Sequence, residues 1–358
     1  MNKSRYTLTD VAQRAGVSVA TVSRVLSNHP HVKNATRERV KRALVEMRFD
    51  PQAMYTPFVQ QTTPMVGFLI PAAMATLGLN RAVYLTMVQT IREAVEARGF
   101  GLYVGTFSGS ADGDLVGDRV IRERQIAGAI VSRVRSDEEL EPLRRAGLTV
   151  VVLNRPVSSP GIHTVTVNNR RAAAEAADHV IQQGHRRIGV LGGPEDVYSA
   201  AERLAGYHDA MQAAGLDPTT LTIARTDLAE EQGRRATAEL LERPRPPTAI
   251  LAVNDYLALA AIDVATSRGL HLPDDLSIVG FDDIESARYV HPALTTVHMP
   301  WDRMAHWAGR ILLDALEDER AEQASLRMTT ELVIRASTTR PPTTLQVRKQ
   351  RKTQEVFV

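Results

Sequence analysis

The chain has 358 residues, of which 44% are hydrophobic, so it can form a small domain beside a larger body with a sizeable core. Because it contains no cysteine, disulfides, thiolate metal sites and a cysteine nucleophile are excluded. Its start lacks the apolar segment of a secretory signal, and no apolar run approaches the roughly 18 residues of a membrane span. We therefore expect a soluble cytoplasmic protein without a membrane partner.

Positive charge is concentrated at the two ends of the chain. Residues 1–60 contain ten Lys and Arg against four Asp and Glu, and residues 341–358 contain four against one. Since the whole chain carries only +2, residues 61–340 carry a net charge of −7. A basic N-terminal head on an acidic body is typical of a protein whose head binds a polyanion.

The N-terminal segment has the pattern of a helix-turn-helix, residues 7–26, followed by a third helix over residues 34–47. Apolar residues at helical spacing form one face of each of the first two helices: Leu8, Val11, Ala12 and Ala15, then Val22, Val25 and Leu26. Gly16 permits the turn, Val17 is expected to be a buried plug, and Ser18 can cap the second helix. A basic three-helix head of this kind most often binds DNA.

The body alternates apolar, β-branched strands with helical segments. The predicted strands fall into two sets, residues 65–71, 101–107, 127–132 and 149–154, then residues 163–169, 187–193, 221–227, 248–254 and 276–283. Continuous apolar strands separated by helices are typical of parallel sheets that are covered on both faces. Because nine strands are too many for a single sheet of the mononucleotide-binding size, we predict two doubly wound lobes, with a crossing between them at residues 156–163.

Polar side chains stand where several predicted strands end. These residues are Asn154, Arg155, Asn254, Asp255, Asp282 and Asp283, and Ser199 and Arg203 follow another strand. Because ligands of doubly wound sheets bind at the carboxyl ends of the strands, two facing lobes would bring these groups into one cleft. Carboxylate and amide oxygens accept from sugar-like hydroxyls, and arginine donates a planar fork. Taken singly, each residue could equally serve as a cap or a turn residue.

The sequence lacks the common signatures of enzymes. Gly192-Gly193 is not part of a dinucleotide-binding glycine pattern, and neither a nucleophile elbow nor a zinc-protease motif occurs. We therefore expect no catalytic residue, no metal site, no cofactor and no enzyme activity. Two alternatives stay open. A periplasmic sugar-binding protein would share the body but has no use for the head, and a sugar- or nucleotide-processing enzyme would need a nucleophile or a metal cluster.

Long segments of the chain resemble the lactose/galactose repressor (LacI/GalR) family. Residues 7–27 and 35–40 resemble the DNA-binding domain of that family, and residues 187–193, 199–211, 252–262 and 276–300 resemble its periplasmic-binding-protein-like effector domain. The resemblance covers roughly residues 7–338 and implies an all-α helix-turn-helix head on a two-lobed α/β body. It also implies a transcription regulator, usually a repressor, that binds a palindromic operator as a homodimer and responds to a small polar effector such as a sugar.

By this resemblance, two groups of residues receive functional roles. Val19, Ala20 and Arg24 would read bases, while Thr7, Ser18, Thr21 and His31 would contact phosphates. An arginine such as Arg24 can fork onto a guanine edge, and small apolar side chains can lie against a thymine methyl group. The effector-binding residues would be Tyr84, Asn154, Ser199, Arg203, Asn254, Asp282 and Trp301.

Three segments depart from the family pattern. The family's hinge helix carries a leucine that wedges into the minor groove, whereas Phe58 stands here, directly after Pro57. Because proline disfavours helical geometry, we expect Phe58 to insert from a turn or a one-turn helix. Of an aromatic pair that many relatives have at the first helix of the body, only Tyr84 is retained, and Arg81 begins that segment. The C-terminal tail has no leucine heptads, so a tetramer is not expected.

The expected organisation follows from these patterns. Residues 1–50 form the DNA-binding domain, residues 51–63 the hinge, and residues 64–340 the effector-binding and dimerisation domain. Within the body, we expect an N-lobe over about residues 64–157 and 301–320, and a C-lobe over about residues 163–292 and 325–340. Residues 341–358 lack helical periodicity and are expected to be a disordered basic tail.

Overall fold

The computed structural model describes residues 8–18, 21, 22, 25, 34–47, 63–75, 81–110, 113–318 and 322–342. The chain divides into two compact units, Met1–Thr63 and Pro64–Val358. The expected hinge with Pro57 and Phe58, and the tail after residue 342, lie outside the described residues. Within the described ranges, none of the helices combines the length and the apolar character that crossing a membrane requires.

The first unit has a small helical core. Helix α1 spans Leu8–Ala15 and helix α2 spans Asn34–Glu46. Buried apolar side chains from both helices and from the helical positions between them form the core: Val11, Ala12, Ala15, Val22, Val25, Val40 and Ala43. Gly16 has a φ of 62°, and the next amide, of Val17, closes the end of α1 by bonding the Ala12 carbonyl at 3.0 Å. Val17 packs at the edge of this core and is only partly buried, because it sits in the turn itself rather than beneath it.

The body is built from alternating strands and helices. Its strands are β1 (Met65–Pro71), β2 (Gly101–Phe107), β3 (Gly128–Ser132), β4 (Thr149–Leu153), β5 (Ile162–Val167), β6 (Ile188–Gly192), β7 (Thr222–Arg225), β8 (Ala249–Ala252), β9 (Ser277–Asp282), β10 (Thr295–His298), β11 (Ser325–Met328) and β12 (Glu331–Val333). Its helices are α3 (Ala72–Ala75), α4 (Arg81–Glu96), α5 (Val116–Arg122), α6 (Glu141–Arg145), α7 (Asn169–Gln182), α8 (Tyr198–Ala213), α9 (Glu230–Leu241), α10 (Asp255–Ser267), α11 (Ser286–Tyr289) and α12 (Trp301–Glu317), with short 3-10 helices at Glu138–Leu140 and Pro218–Thr220.

The strands form two six-stranded sheets, one in each lobe. The first has the order β11-β5-β4-β3-β1-β2 and the second β12-β10-β9-β8-β6-β7. Neighbouring strands are parallel, except that β12 runs antiparallel to β10. In β1, Val66 and Phe68 join one buried cluster, while Leu69 joins another on the opposite face. Both faces of the sheet are therefore buried, and the predicted fold of two doubly wound lobes is confirmed.

The first crossing between the lobes comes later in the chain than the sequence pattern suggested. Strand β5 pairs with β4, with Val150 opposite Ile162, so it lies in the first sheet and not in the C-lobe. Strand β11, also assigned to the C-lobe, pairs with β5. β-branched residues suit either sheet equally, so composition could not show which sheet these strands join. The chain crosses between the lobes over residues 167–169, 298–301 and 328–331.

Candidate functional site

A cleft lies between the lobes, at the carboxyl ends of the strands. It encloses about 810 Å³ of space, part of which is open solvent at its mouth. The proposed effector-binding residues all line it: Tyr84, Asn154, Ser199, Arg203, Asn254, Asp282 and Trp301. Helices α4 and α12 bring the aromatic residues, α8 brings Ser199 and Arg203, and strand ends bring the remaining three. That these residues contact a ligand stays a prediction.

A chain of polar contacts, called here the interlobe relay, links the two lobes at the cleft. Asp282, at the end of β9, lies 3.6 Å from Nη1 of Arg203. Nε of Arg203 donates to Oδ1 of Asn169 at 3.0 Å, and Nδ2 of Asn169 donates to Oδ1 of Asn154 at 2.9 Å. Because Asn154 follows β4 in the first lobe and Asn169 begins α7 in the second, the relay joins both walls of the cleft.

Asn169 was not among the residues predicted from the sequence. It is only 2% exposed, and its partners Asn154 and Arg203 are 15 and 34 residues away along the chain. Nothing in the local pattern indicates those contacts. The available signal was its position two residues after the end of strand β5, since polar residues at strand ends in this fold face the cleft.

Arg203 is buried and held in a fixed orientation. The residue is 4% exposed, its guanidinium lies 3.6 Å above the ring of Phe281, and Nη1 also donates to the Val253 carbonyl. Burial lowers the pKa of Arg203, and the neighbouring Asp282 opposes this effect. A buried guanidinium needs such a counter-ion and hydrogen-bond acceptors, so Arg203 and Asp282 act as one unit.

Asn254 has a structural role in addition to its place in the cleft. Its Oδ1 accepts from the Leu257 amide at 2.8 Å and so caps the start of α10, while Nδ2 donates to the Leu228 carbonyl at 3.4 Å. The next residue, Asp255, is fully buried and accepts from Thr296 Oγ1 and the Ile284 amide. Burial, followed by the nearby Asp282, raises the pKa of Asp255 to about 7.

Asp282 and Asp283 are adjacent in sequence but serve different surroundings. Asp283 binds Arg335 Nη2 at 2.5 Å and His298 Nδ1 at 3.1 Å, whereas Asp282 faces Arg203. The pair is therefore not arranged as an acid and a base on one substrate. Across the part of the chain that the structure describes, no group of three or more His, Asp or Glu residues is placed to hold a metal ion. The arrangement of the cleft is suited to binding and orienting a polar molecule.

Left-handed backbone conformations gather at this cleft. Among the described non-glycine residues, φ is 62° at Arg133, 59° at Asn154, 71° at Leu228 and 122° at Asp282, and all four line the cleft. Such conformations cost roughly 1–3 kcal/mol each and persist only where the surrounding structure holds them. The surrounding structure therefore stabilises backbone conformations that are locally unfavourable, as is typical of a functional site.

Two aromatic side chains form part of the N-lobe wall. The hydroxyl of Tyr84 hydrogen-bonds with Ser132 and Arg133, and burial raises its pKa while Arg133 opposes the shift. Trp301, the first residue of α12, is half-buried, and its Nε1 is buried without a hydrogen-bond partner among the described residues. Because a buried indole N–H usually has an acceptor, this donor is suited to a ligand oxygen.

Ion pairs surround the mouth of the cleft. Arg155 donates to Asp137 at 2.7 Å, and Ser159 donates to the other oxygen of the same carboxylate at 2.9 Å. Burial opposes ionisation of Asp137, but these hydrogen bonds prevail and lower its pKa. Arg135 binds Glu139 at 2.9 Å within the first lobe and Asp196 at 3.3 Å in the second lobe. A second contact between the lobes therefore lies beside the interlobe relay.

In the first unit, the structure describes two of the residues proposed to contact DNA. The Thr21 amide donates to Ser18 Oγ at 3.2 Å, and the two hydroxyl groups lie 2.8 Å apart, so Ser18 caps the helical positions that begin at Thr21, as expected. Arg14 binds Glu46 at 2.8 Å and ties α1 to α2. The other proposed DNA contacts lie outside the described residues: Thr7, Val19, Ala20, Arg24, His31 and Phe58.

Comparisons with known proteins agree with both parts of this architecture. The family described as "Bacterial regulatory proteins, lacI family" matches residues 7–52, and the "Periplasmic binding protein-like domain" matches residues 177–338. The chain is 32% identical over 334 residues to the HTH-type transcriptional repressor CytR of Escherichia coli (strain K12), which covers 93% of this chain and 96% of that protein.

Two solved structures show the same likeness over 93% of the chain. A complex of the transcriptional regulator CelR with cellobiose has a TM-score of 0.66 at 29% identity, covering 93% of this chain and all of that one. The lac repressor dimer bound to operator and the anti-inducer ONPF has a TM-score of 0.67 at 26% identity, covering 93% of this chain and 99% of that one. The family resemblance seen in the sequence is thus confirmed: this chain belongs to the lacI family of bacterial regulatory proteins and is a DNA-binding transcription regulator.

Proposed function

We propose that this regulator is a repressor that binds a palindromic operator as a homodimer and that a small polar effector in the cleft changes its affinity for the operator. The observation that carries the proposal is the presence, in one chain, of a helix-turn-helix core and a cleft whose walls are joined by the interlobe relay. The relatives support it, since one solved relative is a complex with cellobiose and another is a dimer on its operator.

The cleft offers a physical route for the effector to act. A molecule that contacts Asn154 on one wall and Arg203 on the other stabilises one spacing of the lobes over others, and an effector shifts an equilibrium only by such differential contacts. In this proposal the cleft has no catalytic step, and its charged groups act by binding. The protein works in the cytoplasm, where its operator is.

Selection of binding sites from random DNA by the full-length protein tests operator recognition. We expect an inverted repeat, because a two-fold dimer presents two heads to a two-fold site. Arg24→Ala should weaken binding by roughly 1–3 kcal/mol and relax one base position in each half-site. Arg310→Ala, on exposed α12 surface in the body, is the control and should leave the selected sequence unchanged. Selected sequences without two-fold symmetry would contradict the proposal.

The role of the cleft is tested with an effector found by thermal-shift screening of sugars, phosphosugars and nucleobases. Arg203→Ala and Asp282→Ala should each weaken effector binding by about tenfold or more, since hydrogen bonds to charged groups contribute roughly 1.5–3 kcal/mol. Both variants should keep their operator affinity without effector, because the residues lie in the body. Calorimetry that shows unchanged effector affinity in both variants would place the site elsewhere.

A further inference from the structure

Asn169 lies at the first crossing between the lobes and bonds a residue in each lobe. It ends the crossing over residues 167–169 and begins α7. Its Nδ2 donates to Asn154 of the first lobe at 2.9 Å, and its Oδ1 accepts from Arg203 of the second lobe at 3.0 Å. One buried side-chain amide therefore connects the two walls of the cleft at a hinge.

The start of α7 does not depend on the side chain of Asn169. The preceding residue, Asn168, caps the helix, because its side chain accepts from the Arg171 amide at 3.0 Å. The described residues that line the cleft do not include Asn169, so its amide acts through Asn154 and Arg203 and not on a ligand directly. The contribution of Asn169 is therefore the connection between the lobes.

The bond between Asn169 and Asn154 is placed to fix the geometry of the hinge. The backbone amide of Asn154 donates to the Val165 carbonyl of β5 at 2.9 Å, so Asn154 is held against the strand that leads into the crossing. A bond from this residue to the far end of the crossing limits the change in backbone angles that opening of the lobes requires. Arg135 and Asp196 also meet across the cleft, but both side chains are exposed, so water and salt weaken that ion pair.

We infer that Asn169 is a positioning residue, whose buried amide sets the spacing of the two lobes in the absence of an effector and with it the position of Arg203 relative to Asn154. A molecule that moves either of these two side chains acts on the same amide, because Asn169 holds both. The inference rests on the proposed function, since it names the residue that controls the cleft in which the effector acts.

Acrylamide quenching of tryptophan fluorescence in the full-length protein tests the inference without an effector. The chain has two tryptophans, so Trp307→Phe leaves Trp301, which lines the cleft, as the single reporter. In this background Asn169→Ala should increase the quenching of Trp301, because loss of both bonds shifts the ratio of open to closed cleft by about tenfold or more. Asn154→Gly removes one of the bonds without backbone strain, since glycine tolerates the φ of 59° at this position, and should also increase quenching.

Two matched variants separate positioning from a general loss of stability. Asn168→Ala removes the cap of α7 and should lower the unfolding midpoint, but it should leave the quenching of Trp301 at the parent value. Asn154→Asp keeps an acceptor for Asn169 and tolerates the left-handed backbone, so it should retain the quenching of the parent protein. In the double variant, Asn154→Gly should add nothing to Asn169→Ala, because both changes remove the same bond.

Cooperative thermal unfolding shows which variants are folded. If Asn169→Ala does not fold, the comparison of Asn154→Gly with Asn154→Asp decides alone. The inference is overturned if the bond-breaking variants leave the quenching of Trp301 unchanged or if Asn168→Ala increases it equally. It is also overturned if Arg135→Gln opens the cleft and Asn169→Ala does not, since the ion pair and not the buried amide would then hold the lobes.

Failure of the inference and failure of the proposed function give different results. If an effector changes operator affinity but the quenching of Trp301 does not depend on Asn169 or Asn154, the inference is overturned and the proposed function stands. Quenching that depends on Asn169, in a protein that selects no operator, would support the inference about the hinge and contradict the proposed function.

Discussion

At the scale of single residues, the buried acid Asp255 has the clearest energetic consequence. Its side chain is fully buried behind Asp282, and its pKa is raised from 3.8 to about 7. Between these two values the folded protein holds a proton that the unfolded chain has released. Raising the pH through this window therefore removes stability, and the loss is complete above about pH 7.

We predict that Asp255→Asn removes this pH dependence. One unit of pKa shift corresponds to about 1.36 kcal/mol. As the pH rises from 4 to 7.5, the free energy of unfolding of the variant minus that of the parent protein should therefore increase by up to about 4 kcal/mol. Urea unfolding of both proteins across this range measures the difference. His163, His179 and His185, whose pKa values are lowered by desolvation, contribute equally to both proteins and cancel. A constant difference would show that Asp255 is ionised throughout.

The residues of the cleft were partly predictable from the sequence, for a physical reason. Asn154 and Asp282 follow apolar strands, and the ends of parallel strands meet at one edge of a sheet, so their location could be predicted without coordinates. The hydrogen-bond partners of each side chain could not be predicted in this way. The amide oxygen of Asn254 caps a helix, and Asn169 completes the interlobe relay through partners that only the tertiary fold brings near.

At the scale of elements, the helix ends follow a common design. Five helices in the described part of the body are followed by a glycine with positive φ. The amide of the residue after each glycine donates a hydrogen bond to the carbonyl of the residue five positions before its own. The glycines are Gly99, Gly147, Gly184, Gly215 and Gly269, closed by Phe100, Leu148, His185, Leu216 and Leu270. Helix α5 ends with the same bond, from the Gln125 amide to the Val120 carbonyl at 3.0 Å, but Arg124 stands where the others have glycine, with a φ of 50°.

We predict that Arg124→Gly stabilises the protein. The left-handed conformation costs a non-glycine residue roughly 1–2 kcal/mol, part of which the greater freedom of glycine in the unfolded chain cancels, so a gain of roughly 0.5–1 kcal/mol remains. Gly215→Ala is the matched control. Apart from the chain neighbours, no atom lies within 4 Å of the added methyl group, so its expected loss of roughly 1 kcal/mol reports the change in backbone preference and not a steric clash. Thermal unfolding measures both, and a lower midpoint for Arg124→Gly would show that the arginine side chain outweighs its backbone strain.

The same elements show where sequence reasoning ends. The predicted bounds of β1 and β2 agree with the structure because apolar runs bordered by polar or turn residues are local signals. The assignment of β5 to the C-lobe was wrong because the choice of sheet depends on pairing with β4, which is not local. Likewise, the left-handed turn at Arg124 after α5 could not be predicted, since an arginine in the sequence gives no signal for that conformation.

At the scale of the whole molecule, the distribution of charge indicates which part holds DNA. The first 60 residues carry +6, the body −7 and the last 18 residues +3, so a chain without its first 63 residues carries −4. Neutralisation of DNA phosphates supplies much of the affinity of DNA-binding proteins. An acidic body repels DNA, which favours approach through the basic N-terminal unit.

We predict that removal of residues 1–63 abolishes DNA binding even at low salt, although the basic tail remains. Removal of residues 341–358 should retain sequence-specific binding and reduce the affinity for non-specific DNA modestly, because a few phosphate contacts are lost. Each lost contact should also make the slope of log K against log salt concentration less steep by about 0.9. Gel shifts with operator and random DNA at about 50 and about 200 mM salt measure both effects, because affinity that depends on phosphate contacts falls between these concentrations. The truncated body must unfold cooperatively and still bind its effector for the test to count. If it shifts DNA until the tail is also removed, the tail and not the helix-turn-helix unit supplies the non-specific affinity.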